Sequence, residues 1–95
     1  MLIGMKYLHD EGKKKAIRRL KIIEGQIRGL QEMVVQDVYC IDIITQSSSV
    51  KQALSGVEDA LMENHLNHCV HRQMTSGQTG KAVEEVLKVY KLKRK

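Results

Sequence analysis

The chain has 95 residues, a formal net charge of +5 and 42% apolar residues, with no proline, phenylalanine or tryptophan. Such a length suits one small domain over residues 1–95, and the composition is typical of a folded protein rather than a disordered one. No apolar run reaches the roughly 18 residues of a membrane span, and the first eight residues lack the apolar stretch of a signal peptide. We therefore expect a cytoplasmic protein with no membrane contact. Three tyrosines are the only aromatic residues, which disfavours base stacking on single-stranded nucleic acid.

Basic residues are concentrated at the two ends of the chain. Residues 1–28 carry a net charge of +5 and residues 81–95 one of +4, whereas residues 29–80 carry −4. A solvated helix face and a frayed tail would explain this pattern equally well, but it also suits contact with a polyanion, most simply the phosphates of double-stranded DNA. The candidate DNA contacts in the first segment are Lys13, Lys14, Lys15, Arg18, Arg19 and Lys21.

The first predicted helix covers residues 13 to about 36, after an N-terminal segment, residues 1–12, that we expect to be mobile. Its apolar residues recur at alternating spacings of three and four, the pattern of an amphipathic helix. They are Ala16, Leu20, Ile23, Ile27, Leu30 and Val34. Gly25 and Gly29 share a face, and because each costs about 1 kcal/mol relative to alanine, we expect another backbone to approach closely there.

A second apolar stripe begins after a short break near residues 37–39 and predicts a helix of roughly 33 residues. It consists of Ile43, Ser47, Val50, Leu54, Val57, Leu61, His65 and Cys69. Residues 75–80 form a breaker cluster, a short third helix follows, and residues 91–95 are a basic tail. The predicted fold class is therefore all-α, with a three-helix protomer whose first two helices are long.

The second helix is too long for the globule that this chain can form. At 1.5 Å per residue it spans about 50 Å, whereas a compact monomer of this size has a diameter of about 30 Å. Because the apolar stripe runs along the whole helix, a second copy must cover its far part. The length predicts an obligate helical oligomer, most simply an antiparallel, two-fold helical-bundle dimer.

His65 and Cys69 lie four residues apart on one helix face and can share one metal ion. Taken alone, the pair is better explained as a buried structural thiol and a hydrogen-bonded core histidine. Cys40 precedes His65 by 25 residues, or about 37 Å along a straight helix, so it cannot join them within one protomer. Antiparallel pairing of helix two places Cys40 beside the partner subunit's His65 and Cys69, with the two-fold axis near Ala53 and Leu54.

Two thiolates and one imidazole form a soft, three-ligand donor set, which favours Cu(I). Zn(II) usually takes a fourth ligand, so we expect it only as a substitute. His68 points about 100° away from Cys69 on a helix, and we expect His68 and His71 at the surface. His9 lies in the N-terminal segment, where nothing in the sequence fixes its position as a ligand.

Three segments of the chain share their residues with one known family: RLKIIEGQIRG at residues 19–29, YCID at 39–42 and HLNHC at 65–69. Together they resemble the copper-sensing operon repressors of the CsoR/RcnR family, over about residues 13–90. The resemblance implies an all-helical dimer that assembles into a tetramer, a dimer of dimers. It also implies binding to operator DNA in the metal-free state and release on binding Cu(I), which derepresses copper homeostasis genes.

The resemblance places the family's copper ligands on Cys40 of one protomer and on His65 and Cys69 of the other, in agreement with the pairing above. Family members that sense nickel or cobalt have histidine at the position of Cys69, and the persulfide-sensing branch lacks the histidine at position 65. The ligand set therefore resembles that of the Cu(I)-sensing branch.

Further residues take roles from the same resemblance. The family's tyrosine and glutamate next to the ligands correspond to Tyr39 and Glu85, and its DNA-contacting arginine to Arg19. A second basic position of the family falls on Gly56, which cannot make that contact. If His65 is drawn with Tyr39 and Glu85 into one hydrogen-bonded network, helix three moves onto helix two and displaces the basic surface of helix one.

Other functions remain open at this stage. The two cysteines also suit a thiol-based persulfide or redox sensor, and the same ligands suit a protein that stores Cu(I) or Zn(II). An enzyme is not expected, because the sequence has no nucleophile triad, no paired-carboxylate cleft and no phosphate-binding glycine loop.

Overall fold

The computed structural model describes residues 8–94, and within that range the chain is all-α, with no strand. Helix α1 spans Asp10–Val35, α2 spans Cys40–Asn64, a π-helical segment spans His65–Val70, α3 spans His71–Thr75 and α4 spans Thr79–Lys93. Because α2, the π-helical segment and α3 follow one another directly, the predicted three-helix protomer is confirmed. No helix in the described part of the chain is both long enough and apolar enough to cross a bilayer.

Helix α1 starts three residues earlier than its apolar pattern indicates. Asp10 and Glu11 lie in its first turn, where carboxylates interact favourably with the partial positive charge of a helix N-terminus. The helix therefore extends ahead of its apolar stripe, and the expected N-terminal segment, residues 1–12, loses its last three residues to α1. Residues 1–7 lie outside the described residues.

Helix α4 likewise continues into the expected basic tail, residues 91–95. Lys91 and Lys93 lie in its last turn, where lysine interacts favourably with the partial negative charge of the helix C-terminus. The tail is therefore helical as far as Lys93, and Lys95 lies outside the described residues.

Two helix ends are closed by residues in the left-handed region. After α1, Asp37 has φ 55; its N–H donates to the Val34 carbonyl at 3.1 Å, and the N–H of Val38 donates to the Met33 carbonyl at 3.0 Å. This is a Schellman arrangement, and Gly77, with φ 84, ends α3 in the same way. Both ends coincide with the breaks predicted from the sequence.

The chain divides into two compact units, one of which is formed by Leu8–Leu61. Its core consists of Ile23 on α1 and Val50 and Val57 on α2, with the partly buried Leu30 packed against them. These residues are seven apart within each helix, so every second residue of each predicted apolar stripe faces the neighbouring helix.

The other half of each stripe remains exposed in the single chain. In α1 the exposed members are Leu20, Ile27 and Val34, and in α2 they are Leu54 and Leu61. The close backbone approach expected at Gly25 and Gly29 is also absent within the described residues. A Cβ added at Gly29 would meet nothing within 4 Å, and one at Gly25 would meet only the tip of the Arg28 side chain.

The other unit contains the described residues 62–94. Here α3 packs against α4, and the buried residues are Cys69 of the π-helical segment and Ala82 of α4. This small core holds one of the predicted metal ligands.

Candidate metal centre and basic face

The π-helical segment contains both predicted ligands of the second stripe, His65 at its first position and Cys69 at its fifth. Each turn of a π-helix closes an i→i+5 hydrogen bond. Such segments are rare in proteins, but those that occur are frequently found at functional sites. Cys69 is only 6% exposed and His65 is half-buried. The segment therefore carries a sheltered thiol and, four residues before it, a partly accessible imidazole. No pattern in the sequence predicts the π-helix.

Arg72 contacts the buried thiol from the first turn of α3. Its Nη2 atom donates to Cys69 Sγ at 3.6 Å, so a permanent positive charge lies directly beside this sulfur. The sequence analysis missed Arg72. Arg72 follows Cys69 by three residues, which places both on one helix face. This spacing could have identified Arg72 as a neighbour of the predicted ligand.

Glu85 is held by a side-chain contact between α3 and α4. Gln73 Nε2 donates to Glu85 Oε1 at 2.7 Å, and both groups are partly buried. The second polar atom of this amide, Gln73 Oε1, is buried without a hydrogen-bond partner. In this structure the predicted network residue Glu85 is therefore engaged by Gln73, which the sequence analysis did not single out.

Cys40 and Tyr39 lie at the start of α2. Cys40 is its first residue and its thiol is exposed, and Tyr39 is 70% exposed. The Tyr39 carbonyl accepts the N–H groups of Asp42 and Ile43 at 3.0 and 3.3 Å, which fixes the backbone there. In a single chain both side chains are therefore accessible to another molecule.

The three predicted ligands do not form a site within one chain. Among residues 8–94, no three His, Cys, Asp or Glu side chains are grouped so that they could hold a metal ion. His68 and His71 are exposed, as expected, and so is His9, directly before α1. Assembly of the site from two protomers stays a prediction.

The predicted DNA-contacting residues all lie on α1, and all are exposed: Lys13, Lys14, Lys15, Arg18, Arg19 and Lys21. Arg19 also lines an open groove of about 310 Å³ between α1 and α2, together with Ile22, Ile23, Gln26, Ala53 and Gly56. A Cβ added at Gly56 would meet nothing within 4 Å. The groove is therefore lined both by Arg19 and by Gly56, the position at which the family that this chain resembles has a second basic residue.

Comparison with known proteins shows the family to which the chain belongs. Residues 12–91 match the model of a family described as metal-sensitive transcriptional repressor. The copper-sensing transcriptional repressor CsoR of Bacillus subtilis (strain 168) is 45% identical over 85 residues, which are 87% of this chain and 84% of the relative.

Solved structures show the same likeness. The copper-sensing repressor CsoR with Cu(I) from Geobacillus thermodenitrificans NG80-2 superposes with a TM-score of 0.86 at 40% identity, covering 96% of this chain and 95% of that chain. The nickel-responsive transcriptional regulator InrS gives a TM-score of 0.70 at 26% identity, covering 93% and 96%. The chain belongs to the family of metal-sensitive transcriptional repressors.

Proposed function

We propose that this protein is a Cu(I)-responsive transcriptional repressor that binds operator DNA when metal-free and releases it on binding Cu(I), so that copper homeostasis genes are derepressed. The observation that carries the proposal is the sheltered Cys69 thiol with His65 on the π-helical segment, together with the exposed Cys40 thiol. The relative solved with Cu(I) is more similar to this chain than the nickel-responsive one, which supports copper as the effector.

The donor set fits Cu(I). Thiolate and imidazole are the ligands that a soft monovalent ion prefers, and His65 and Cys69 of one protomer with Cys40 of the partner subunit supply three of them. Bound there, the ion supplies a crosslink between two chains. Zn(II) is a weaker substitute, because it usually requires a fourth ligand.

The exposed halves of the apolar stripes support a homodimer. A single chain leaves Leu54 and Leu61 of α2 partly exposed at a spacing of seven residues, and an exposed apolar stripe of this kind marks a protein interface. Pairing α2 with its copy in antiparallel orientation covers this stripe. The same pairing carries Cys40 to the partner subunit's ligand pair and produces two equivalent sites. Two such dimers form the tetramer.

The exposed basic residues of α1 support binding to double-stranded operator DNA in the cytoplasm. Six of them lie within residues 13–21, and lysine and arginine side chains that neutralise phosphates give affinity that falls steeply with salt. The contact surface comes from the assembled oligomer. A protein that only stores copper needs no such surface.

Glu85 and Tyr39 couple the ligands to the DNA surface. A ligating imidazole commonly donates its second N–H to an oxygen partner, which fixes its orientation. In this structure Glu85 Oε1 accepts from Gln73 Nε2, so a movement of Glu85 toward the His65 network would act against that hydrogen bond. Exchange of partners at Glu85 would move α4 and weaken DNA binding, with a coupling of about 1 to 3 kcal/mol.

An anaerobic Cu(I) competition titration, combined with operator binding followed by fluorescence anisotropy at fixed salt, tests the function. We expect one Cu(I) per protomer and loss of DNA binding, with both removed by Cys40→Ala and both retained by the control His68→Ala. Tight Cu(I) binding with unchanged DNA affinity would indicate a storage protein. An intersubunit disulfide on non-reducing electrophoresis after mild oxidation, accompanied by DNA release without copper, would indicate a redox sensor.

A further inference from the structure

Arg72 lies against the proposed metal site, although the ligand set does not require it. Its guanidinium group donates to Cys69 Sγ at 3.6 Å, the sulfur belongs to a residue that is 6% exposed, and Arg72 itself is half-buried. We propose that Arg72 makes the site selective for monovalent over divalent metal ions. This inference rests on the proposed function, because it concerns the same ligands.

The argument depends on the total charge of the occupied site. Two thiolates, a neutral imidazole and Cu(I) sum to −1, whereas the same ligands with Zn(II) sum to zero. A guanidinium group remains positively charged at every relevant pH. Arg72 therefore attracts the monovalent complex and has no net charge to attract in the divalent one.

Burial strengthens this discrimination. Interactions between exposed charges are screened by water and salt, but a partly buried pair is screened much less. The hydrogen bond to Cys69 also fixes the guanidinium group beside the sulfur, where it stabilises the extra electron density of a thiolate.

The ratio of two metal affinities isolates this effect. Both metals start from the same metal-free protein, so the protonation state of the free ligands cancels from the ratio of Cu(I) to Zn(II) affinity. The ratio reports only the two occupied sites, which differ in charge by one unit. A residue that merely supports the fold changes both affinities alike.

The experiment measures Cu(I), Ag(I) and Zn(II) affinities of the full-length protein by anaerobic competition with chelators. The variants are Arg72→Gln, which removes the charge, and Arg72→Lys, which keeps it. Arg28→Gln is the matched control, because Arg28 pairs with Glu24 on the surface of α1. Helix content is followed by circular dichroism, and Arg72→Met replaces Arg72→Gln if that variant does not fold.

We expect Arg72→Gln to lower the ratio of Cu(I) to Zn(II) affinity about tenfold, a change that corresponds to about 1.4 kcal/mol and that one partly screened unit charge near the sulfur can supply. Ag(I) affinity should fall with that of Cu(I), because the charge of the ion decides the effect. Arg72→Lys should retain most of the wild-type ratio, and Arg28→Gln should leave that ratio unchanged. The inference is overturned if the ratio in Arg72→Gln equals that of the wild type, whether both affinities stay the same or both fall by the same factor.

The proposed function and this inference fail in different ways. If the wild-type protein binds no Cu(I), both are overturned. If it binds Cu(I) and releases DNA while Arg72→Gln keeps the wild-type ratio, only the role of Arg72 is overturned.

Discussion

Replacement of Leu54 by alanine tests whether the exposed half of the α2 stripe is a dimer interface. Leu54 keeps 41% of its surface exposed in the single chain. A leucine-to-alanine change removes about three carbon groups, worth about 2.4 kcal/mol when fully buried at about 0.8 kcal/mol each. Covering the exposed two fifths in a dimer is therefore worth about 1 kcal/mol per copy.

The two-fold symmetry doubles this effect, because both copies carry the change. We expect Leu54→Ala to weaken dimerisation by about 2 kcal/mol, a factor of about thirty in the dissociation constant. Sedimentation equilibrium over a concentration series measures it. Gln52→Ala, which is exposed on the opposite side of the same helix from Leu54, is the control and should leave the constant unchanged.

Val57→Ala is the comparison variant for the core of the chain, as opposed to the proposed dimer interface. Val57 is 3% exposed and packs within the cluster of Ile23 and Val50, so its truncation should lower the free energy of unfolding by about 2 kcal/mol. A dissociation constant that is unchanged in Leu54→Ala would refute the assignment of this stripe to the dimer interface.

Four further substitutions test other parts of the account. Arg19→Ala should weaken operator binding and lower the salt slope by about one without changing Cu(I) affinity; an unchanged slope moves the contact elsewhere. Gly56→Lys should raise that slope by about one, because the groove has room for a side chain, and no rise would remove the groove from the DNA surface. Gly77→Ala should cost about 1 to 2 kcal/mol in chemical denaturation, since alanine is strained at φ 84; a smaller loss contradicts the role of the turn. Gln73→Ala frees Glu85 and should increase the Cu(I)-induced loss of DNA affinity about fivefold, for a hydrogen bond of about 1 kcal/mol; equal coupling in both proteins would show that Gln73 does not restrain it.

The apolar periodicity predicted the helices, because helix packing depends on local spacing. The break at Asp37 follows the last apolar residue of the first stripe, Val34, whereas the break at Gly77 was indicated by the breaker residues at 75–80. Periodicity could not show which members of a stripe pack within the chain. Leu54 and Val57 belong to the same stripe, but only the second is buried in the single protomer, because alternate positions face different neighbours.

The sequence singles out the candidate ligands but not the residues around them. Cys69 and His65 stand out because a thiol and an imidazole occupy positions where leucine is expected. The π-helical backbone around them has no sequence signature, since it depends on one changed hydrogen-bond register. Arg72 and Gln73 have ordinary polar side chains on α3, and their contacts with Cys69 and Glu85 became evident only from the positions of the side chains.

Mixing two inactive variants tests the central claim, a metal site shared between protomers. Neither Cys40→Ala nor Cys69→Ala alone should bind Cu(I) tightly. After subunit exchange at equal concentrations, half of the dimers are mixed, and each mixed dimer has one intact site, formed by Cys40 of one chain and His65 with Cys69 of the other. In the anaerobic competition titration we therefore expect about 0.25 tightly bound Cu(I) per protomer. No recovery in a mixture shown to contain mixed dimers would contradict a site that bridges two chains.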